Sequence, residues 1–408
     1  MAKDAGTRNR VRRLETERMD RYAAMPLRNA AVKKVALNAV FLQRRMGGIE
    51  TAVRELVPEL LGLEPRLSLA ILVTPAGREA LADESWADEV DMVSSPFLTV
   101  PLTKAVSELT LIGMLADRQR ADVVHSVAMI GPIYSRAASV VSIPDVTWWR
   151  DPSTVPRTTR LLWRTFVPLG ARHARRVITY SRTAAHEISE DLSIPLDRID
   201  VVPLGPGTTA ETAPRSGAEL RADWDLGPGP ILLAISGLSP HKNVDTLVEA
   251  MPRIREHRPD AVLVVPGNPT DYGAKLTARA AALGVGRFIR FPGWVDAARL
   301  EGLYREASCL VFPSRREGFG LPVLEAMGHG LPVVCSRASA IPEVAGDAAL
   351  YFDPESSTEL ADAVGRILGD EGLASQLASA GLQRAAEFSW RRAAEETLDV
   401  YERAVRQR

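Results

Sequence analysis

The sequence REGFGLPVLEAM at residues 316–327 sets the interpretation of the whole chain. It follows an apolar, strand-like segment at residues 310–313. Gly318 and Gly320 permit a tight loop whose backbone N–H groups can face a ligand. Pro322 suits the first turn of a helix, because an N–H at that position would have no helical partner. The pattern therefore predicts a strand, a glycine loop and then a helix.

Two carboxylates in this stretch are the strongest candidates for site residues. Glu317 lies in the loop and Glu325 about one turn into the helix, so both approach one cleft at different depths. One carboxylate can hold a sugar hydroxyl or stabilise developing positive charge, and the other can accept two hydrogen bonds from a ribose diol. The N–H groups of Phe319, Gly320 and Leu321 at the helix start can bind a diphosphate.

Strand-like and helix-like segments alternate through the rest of the chain. The strand candidates are residues 34–41, 67–73, 123–125, 139–143, 177–180 and 199–202 in the first half, and 231–235, 261–265, 288–291, 310–312 and 333–335 in the second. Short buried strands separated by helices favour parallel sheets covered on both faces. We therefore predict an α/β protein with two doubly wound, Rossmann-like domains that face each other across a cleft, where such sheets bind ligands.

Composition sets the predicted domain boundaries. They are a basic, flexible tail at residues 1–33, a first Rossmann-like domain at 34–205, a linker at 206–229, a second Rossmann-like domain at 230–386, and a C-terminal helix at 387–408 that packs back on the first domain. The linker is rich in Gly and Pro. The tail is rich in arginine and poor in apolar residues, which favours a solvated segment, with attraction to an anionic membrane surface as the alternative.

Charge and cysteine content narrow the class of protein. The net charge of the 408 residues is −1, so nothing in the balance points to nucleic acid. Cys309 and Cys335 lie in apolar segments and are expected to be buried thiols. No run of 18 apolar residues or signal peptide is evident. We expect a cytoplasmic protein, either free or peripheral at the inner membrane face, and either a monomer or a homodimer.

The spacing Glu317-x7-Glu325 in this context resembles the signature of retaining glycosyltransferase family 4, which has the GT-B fold. Other segments that fit the family are 236–243 (SGLSPHKN), 293–295 (GWV), 330–334 (GLPVV), 342–349 (PEVAGDAA) and 388–390 (FSW). The resemblance covers nearly the whole chain after residue 34. It implies a hexosyltransferase whose second domain binds a nucleoside diphosphate sugar and whose first domain binds the acceptor.

The resemblance also implies roles in the second domain. Lys242 would neutralise the diphosphate leaving group. His241 stands where many relatives have Arg, and Leu238 stands where relatives have an Arg after the loop glycine. One positive charge is therefore weakened, or it is supplied by Arg315 or Arg316. Glu325 would hold the ribose, and Glu317 would contact the sugar hydroxyls during catalysis.

In the first domain, Gly47 and Gly48 resemble the family's glycine loop near the donor phosphates, although an ordinary turn is the alternative. His125 ends a predicted strand, and the resemblance implies a catalytic contact with the transferring sugar, with a structural histidine as the alternative. Relatives commonly read Ile-His-Asp where this chain has Pro144 before Asp145. The role of that histidine has moved to Asp145 on the acceptor side, has moved to His125, or has been lost.

The resemblance implies no cofactor and no metal ion. Asp223-Trp224-Asp225 formally matches the Asp-x-Asp metal motif of the other major glycosyltransferase fold, but its place beside the linker favours a capping role. No other carboxylate or histidine cluster has clear metal spacing. We therefore expect protein groups to neutralise the leaving group.

The expected reaction moves a hexose to a hydroxyl of a saccharide, lipid-linked or small-molecule acceptor, with retention at the anomeric carbon. The resemblance to mannosyl- and rhamnosyltransferases favours GDP-mannose as the co-substrate, with UDP- and dTDP-sugars as alternatives. Two other functions remain open. One is a catalytically impaired nucleotide-sugar-binding partner subunit, and the other is a sugar-nucleotide epimerase with the same two-domain fold.

Overall fold

The computed structural model describes residues 32–44, 46–63, 66–94, 101–207 and 213–407. Most of the predicted basic tail, residues 1–31, lies outside the described residues. The chain from Val32 to Arg408 forms one compact unit that contains both predicted sheets. Among the described helices, none has the length and apolar character needed to cross a membrane.

The first half of the chain forms a sheet of seven parallel strands. These are β1 (Lys34–Asn38), β2 (Ser68–Val73), β3 (Asp91–Ser94), β4 (Val123–Ser126), β5 (Ala138–Ser142), β6 (Arg176–Thr179) and β7 (Ile199–Val201). Their order in the sheet is β3-β2-β1-β4-β5-β6-β7. The accompanying helices are α1 (Gly48–Leu61), α2 (Pro75–Ala80), α3 (Pro101–Arg118), α4 (Thr147–Arg150), α5 (Arg157–His173) and α6 (Arg182–Leu192).

The second half repeats this arrangement with six parallel strands. These are β8 (Ile231–Leu233), β9 (Val262–Pro266), β10 (Ile289–Gly293), β11 (Cys309–Phe312), β12 (Val333–Ser336) and β13 (Leu350–Phe352), in the order β10-β9-β8-β11-β12-β13. The helices are α7 (Gly217–Trp224), α8 (Val244–His257), α9 (Asp271–Ala282), α10 (Ala297–Glu306), α11 (Leu321–Gly328), α12 (Ile341–Ala345), α13 (Ser357–Gly369), α14 (Glu371–Ala385) and α15 (Trp390–Arg406). The order of strands in both sheets reverses beside the first strand of each half, which is where doubly wound sheets bind ligands.

Burial of the central strands explains why these segments pair. Every residue of β9 and β11 is buried, as near-continuous apolar strands of a covered parallel sheet should be. Cys309 and Cys335 are free thiols within β11 and β12, and both are buried. The predicted fold class and the expected state of the cysteines are therefore confirmed.

The predicted linker is not irregular throughout. Its described part contains α7, which starts with a capping box in which the side chains of Ser216 and Glu219 each bind the other's backbone N–H. Arg215, just before it, donates its N–H to the carbonyl of Ala298 at 2.9 Å. Residues 215–224 thus belong to the second half rather than to a free connection.

The C-terminal helix α15 crosses back to the first half. The indole Nε1 of Trp390 donates to the carbonyl of Pro206 at 2.7 Å, and Arg403 pairs with Asp200 at 3.0 Å. The chain before the linker approaches this helix closely, since a Cβ on Gly205 would lie 2.5 Å from the backbone nitrogen of Trp390. Helix α15 therefore ties the end of the chain to the first sheet.

Candidate active site

Glu317, in the loop between β11 and α11, forms an ion pair with Lys242. The Lys242 Nζ atom lies 2.7 Å from Oε1 and 3.0 Å from Oε2 of Glu317. The two side chains keep only 22% and 12% of their surface exposed. Ser339 fixes the backbone by donating its hydroxyl to the carbonyl of Glu317 at 2.8 Å. The structure thus brings the predicted cation and the predicted loop carboxylate into direct contact.

Two glycines explain how the loop reaches the first half. A Cβ on Gly318 would lie 2.2 Å from the carbonyl oxygen of Pro144, so no larger residue fits without movement. Gly320 has a φ of 112°, in the left-handed region that favours glycine, and it immediately precedes α11. The contact at Pro144 also places the neighbouring Asp145 beside this loop, with its Cβ 3.2 Å from the same hypothetical atom.

The segment that carries Lys242 is held by a buried asparagine. Asn243 has a φ of 58° and donates its side-chain amide to the carbonyls of Pro313 at 2.9 Å and Pro354 at 2.8 Å. Asparagine tolerates this left-handed backbone better than most residues. The 3-10 turn Pro240–Lys242 is therefore fixed against the end of β11, and the ammonium group is held at the site with it.

His241 is a weak source of positive charge at this site. Burial lowers the pKa of His241, and the charge of Lys242 lowers it further, against three nearby carboxylates that raise it. Its Nδ1 atom lies 3.2 Å from the hydroxyl of Ser239. A neutral imidazole here can donate or accept a hydrogen bond, but it does not replace the arginine of the relatives.

The two arginines before Glu317 do not face the ion pair. The guanidinium of Arg315 binds Glu355 at 2.6 Å, and that of Arg316 binds Glu187 in the first half at 3.1 Å. Leu238 is itself buried. The expectation that Arg315 or Arg316 supplies the missing charge is therefore not met in this conformation, which leaves Lys242 as the main cation of the site.

Glu325 lies deeper, beneath the connection between the halves. Its Oε2 atom accepts a hydrogen bond from the hydroxyl of Tyr304 at 2.5 Å. A Cβ on Gly207 would lie 2.5 Å from the other oxygen, Oε1, and 3.3 Å from Thr51 of α1. Burial raises the pKa of Glu325, whereas the hydrogen bonds from Tyr304 and from the backbone of Gly207 lower it. The carboxylate thus faces the first half, as a ligand spanning both halves would need.

The glycine loop of the first half meets the start of α11. A Cβ on Gly48 would lie 3.1 Å from the Cδ1 atom of Leu321. Gly47, with a φ of 69°, directly precedes α1 and leaves the first N–H groups of that helix without side-chain caps. Phe319 contributes only its backbone, because its ring is buried and packs edge-on against Phe388 at a centroid distance of 5.9 Å.

The structure does not support the catalytic role that the resemblance implied for His125. This side chain is 1% exposed. Its Nδ1 lies 2.8 Å from the hydroxyl of Tyr401 in α15, and its Nε2 lies 2.8 Å from the hydroxyl of Ser142. Burial lowers its pKa to about 3, so the ring is neutral near pH 7. His125 joins the first sheet to α15 instead of contacting Glu317 or Lys242.

The carboxylates of the Asp-x-Asp segment point to different partners. Asp223 accepts hydrogen bonds from Arg215 at 3.3 Å and Arg299 at 3.5 Å, and Asp225 ends α7 in a left-handed conformation. Within the described part of the chain, no three His, Cys, Asp or Glu side chains gather closely enough to hold a metal ion.

Sequence reasoning missed several residues that shape the site. The rings of Tyr304 and His329 stack beside Glu325, with 4.7 Å between their centroids. Both residues lie outside the segment 316–327. Glu343, in the second half, accepts N–H groups from Arg182 and Thr183 of the first half at 2.9 and 2.7 Å. Glu343 lies in the segment 342–349 that fits the family. A carboxylate beside a proline does not indicate a contact with Thr183, which is 160 residues away in sequence.

With this geometry in place, comparison with known proteins defines the family. Residues 46–207 match the family described as Glycosyltransferase Family 4, and residues 218–384 match the family described as Glycosyl transferases group 1. The two matches cover most of both halves, the first ending at residue 207 and the second beginning at residue 218. The chain therefore belongs to the family 4, group 1 glycosyltransferases.

The curated relatives to which the chain is similar include two mannosyltransferases. One is the MMP alpha-(1->4)-mannosyltransferase of Mycolicibacterium hassiacum, 33% identical over 276 residues, which are 65% of this chain and 62% of the relative. Another is the O-antigen chain mannosyltransferase B of Escherichia coli, 33% identical over 235 residues, 56% of this chain and 60% of the relative. The alignments thus span about three fifths of the length of these relatives.

Solved structures confirm the GT-B fold. The structure of Anabaena HepE in complex with UDP and glucose superposes with a TM-score of 0.71 at 20% identity, covering 90% of this chain and 98% of that one. At this identity the likeness concerns the fold alone.

Proposed function

We propose that the protein is a retaining glycosyltransferase that moves a hexose from a nucleoside diphosphate sugar to a hydroxyl group. The observation that carries this proposal is the bond of Lys242 to both oxygens of Glu317, at the head of α11 and opposite the glycine loop of the first half. A cation held by a carboxylate in a partly buried cleft is ready to exchange that partner for an anionic ligand. Family membership supports the same conclusion.

In this proposal the diphosphate binds between Lys242 and the backbone N–H groups at Gly320 and Leu321. A helix N-terminus favours an anion there through its free N–H groups and its dipole. The carboxylate of Glu325 accepts hydrogen bonds from the ribose hydroxyls. Glu317, released from Lys242, contacts the hydroxyls of the transferring sugar.

The chemical step then depends on stabilising the leaving group. As the bond from the anomeric carbon to the diphosphate breaks, negative charge grows on the phosphate oxygens beside Lys242. The departing phosphate takes the proton of the acceptor hydroxyl, which attacks from the same face, so that the configuration is retained. Asp145, beside Gly318, lies on the first-half side of the loop, where the acceptor would approach.

We propose mannose as the sugar and GDP-mannose as the donor. Two similar relatives are named as mannosyltransferases, which supports the sugar. UDP- and dTDP-sugars are the alternatives, because none of the contacts described above identifies the base. We infer no cofactor or metal ion, since Lys242 and backbone amides supply the charge that the leaving group needs.

The test is an assay of transfer with a panel of nucleotide sugars and hydroxyl acceptors. We expect transfer from GDP-mannose by the wild-type protein and at least about a hundredfold lower turnover in Glu317→Gln. The matched control is Asp362→Asn, which breaks an exposed ion pair with Arg253 on the outer face of the second half. Near-normal turnover in Glu317→Gln, or donor binding without transfer to any acceptor, would contradict the proposal.

A further inference from the structure

A polar cluster lies against Oε2 of Glu325, whereas its other oxygen, Oε1, lies beside Gly207. Tyr304, which is 2% exposed, donates its hydroxyl to Oε2 of Glu325 at 2.5 Å. The ring of Tyr304 lies almost parallel to that of His329, with 14° between the planes. Neither side chain has a role in the reaction proposed for the site.

His329 contacts both Glu325 and Glu301 through its two ring nitrogens. Its Nδ1 atom lies 2.8 Å from the backbone oxygen of Glu325, and its Nε2 atom lies 2.7 Å from Oε2 of Glu301. A carbonyl oxygen accepts only, so the Nδ1–H of His329 donates to the main chain of Glu325. Glu301 also accepts from Arg305 at 2.7 Å. The cluster thus places donors on the backbone and on the side chain of Glu325.

We propose that Tyr304 and His329 are positioning residues that fix the direction of the Glu325 carboxylate and thereby set the affinity for the ribose of the donor. This inference rests on the proposed function, because it concerns the same donor site.

The hydroxyl of Tyr304 engages Oε2 and leaves Oε1 as the acceptor beside Gly207. Without that bond the glutamate side chain is free to adopt other rotamers, and its orientation towards a ribose diol is lost. Charge-assisted hydrogen bonds of this kind are short and strong. The bond from His329 to the main chain holds the last turn of α11 in the same position.

The cluster also affects the ionisation of Glu325. Burial raises the pKa of Glu325, and the nearby charge of Glu55 raises it further. The hydrogen bonds from the Tyr304 hydroxyl and the Gly207 N–H lower it, as does the charge of His329. Removing the Tyr304 hydroxyl therefore raises the pKa of Glu325. A carboxylate that binds ribose hydroxyls must be ionised, so Tyr304→Phe would lose nucleotide affinity at a higher pH on acidification than the wild-type protein does.

The experiment compares calorimetric titrations of GDP and 2′,3′-dideoxy-GDP. We expect wild-type protein to bind GDP about tenfold more tightly than the dideoxy compound, since the latter lacks the hydroxyls that Glu325 accepts. In Tyr304→Phe the ratio should fall to within about twofold, with the loss confined to GDP. Tyr272→Phe is the matched control, since Tyr272 donates its hydroxyl to Asp245 at 2.5 Å and not to Glu325.

The outcomes separate this inference from the proposed function. If wild-type protein binds neither GDP nor UDP, both fail together. If it binds them and Tyr304→Phe keeps the wild-type ratio and the wild-type pH midpoint, the positioning role is wrong while the donor site stands.

Discussion

At the scale of single residues, the protein holds opposite charges together where a charged substrate is expected. Lys242 and Glu317 satisfy each other in a region where neither keeps more than about a quarter of its surface exposed. A bound diphosphate would compete for the lysine and free the carboxylate for the sugar. The pairing therefore fixes both side chains before the donor arrives, which lowers the cost of ordering them on binding.

The Lys242→Met variant tests this role. The change keeps the length of the side chain and removes the charge, so we expect kcat to fall about a hundredfold or more while the fold is retained. Steady-state kinetics with the preferred donor measures the effect. Lys275→Met, at an exposed position of α9, is the matched control and should retain full activity. Equal activity in the two variants would show that Lys242 does not stabilise the leaving group.

His125 makes a different prediction, about stability against acid. Its pKa is lowered to about 3 in the folded protein, from about 6.5 for an ordinary histidine, so the unfolded chain binds the extra proton first. The free energy of unfolding should therefore be highest above pH 6.5 and decrease by up to about 1.4 kcal/mol per pH unit from this group as the pH falls towards 3.

Denaturant unfolding at several pH values measures this slope. We expect His125→Gln to have a shallower dependence than the wild-type protein below pH 6.5, while the exposed control His173→Gln keeps the wild-type slope. The same slope in all three proteins would mean that His125 is not held neutral in the core. Turnover per folded molecule should remain close to the wild-type value in His125→Gln, since the side chain does not reach the ion pair.

Several site residues could be predicted from the sequence, and the reason is local. Glu317, Gly318 and Gly320 lie within four positions of one another, so the strand, the loop and the helix start fix their neighbourhood. The surroundings of His125 could not be predicted, because its partner, Tyr401, is 276 residues away and reaches it only when α15 folds back. Tyr304 was missed for the same reason: a tyrosine in a helix gives no sign of which carboxylate it will meet.

At the scale of elements, helix α6 of the first half is contacted by side chains of the second half. Its first turn receives the Glu343 carboxylate, which accepts the N–H groups of Arg182 and Thr183. An acidic side chain at a helix N-terminus is favourable through both hydrogen bonds and the helix dipole. Further along the same helix, Glu187 binds Arg316, which directly precedes Glu317.

Removing this contact should loosen the junction between the halves. Such a cap contributes about 0.5–2 kcal/mol, so Glu343→Ala should favour a more open arrangement and lower kcat/KM several-fold. Small-angle scattering with and without GDP measures the opening. Asp370→Ala is the matched control, because Asp370 caps α14 within the second half, through the N–H of Leu373 at 2.9 Å. Equal radii of gyration in the two variants would contradict a role for Glu343 in closure.

The elements that sequence patterns predicted well are the buried ones. The long amphipathic helices and the central apolar strands have strong periodicities. The edge strands β3 and β13 were missed because they are short and, in β3, half exposed, so their apolar pattern is weak. Helix α7 was taken for linker because eight residues flanked by Gly and Pro resemble a turn-rich connection, and its capping box at Ser216 was overlooked.

At the scale of the whole molecule, the linker, α15 and the loop of Gly318 are among the connections between the two halves. The chain crosses once through the linker and once through α15, and the loop of Gly318 touches the first half at Pro144. Glu325 lies beside Gly207, where the connection between the halves begins. A nucleoside diphosphate bound here would contact both halves, so its binding and their closure would be coupled.

The most direct test of this arrangement is a crystal structure of the protein with GDP. We expect the diphosphate within hydrogen-bonding distance of the Lys242 ammonium and the N–H groups at the start of α11, with the ribose hydroxyls on Glu325 and with Glu317 released from Lys242. A nucleotide bound elsewhere, with the pair of Lys242 and Glu317 unchanged, would contradict it.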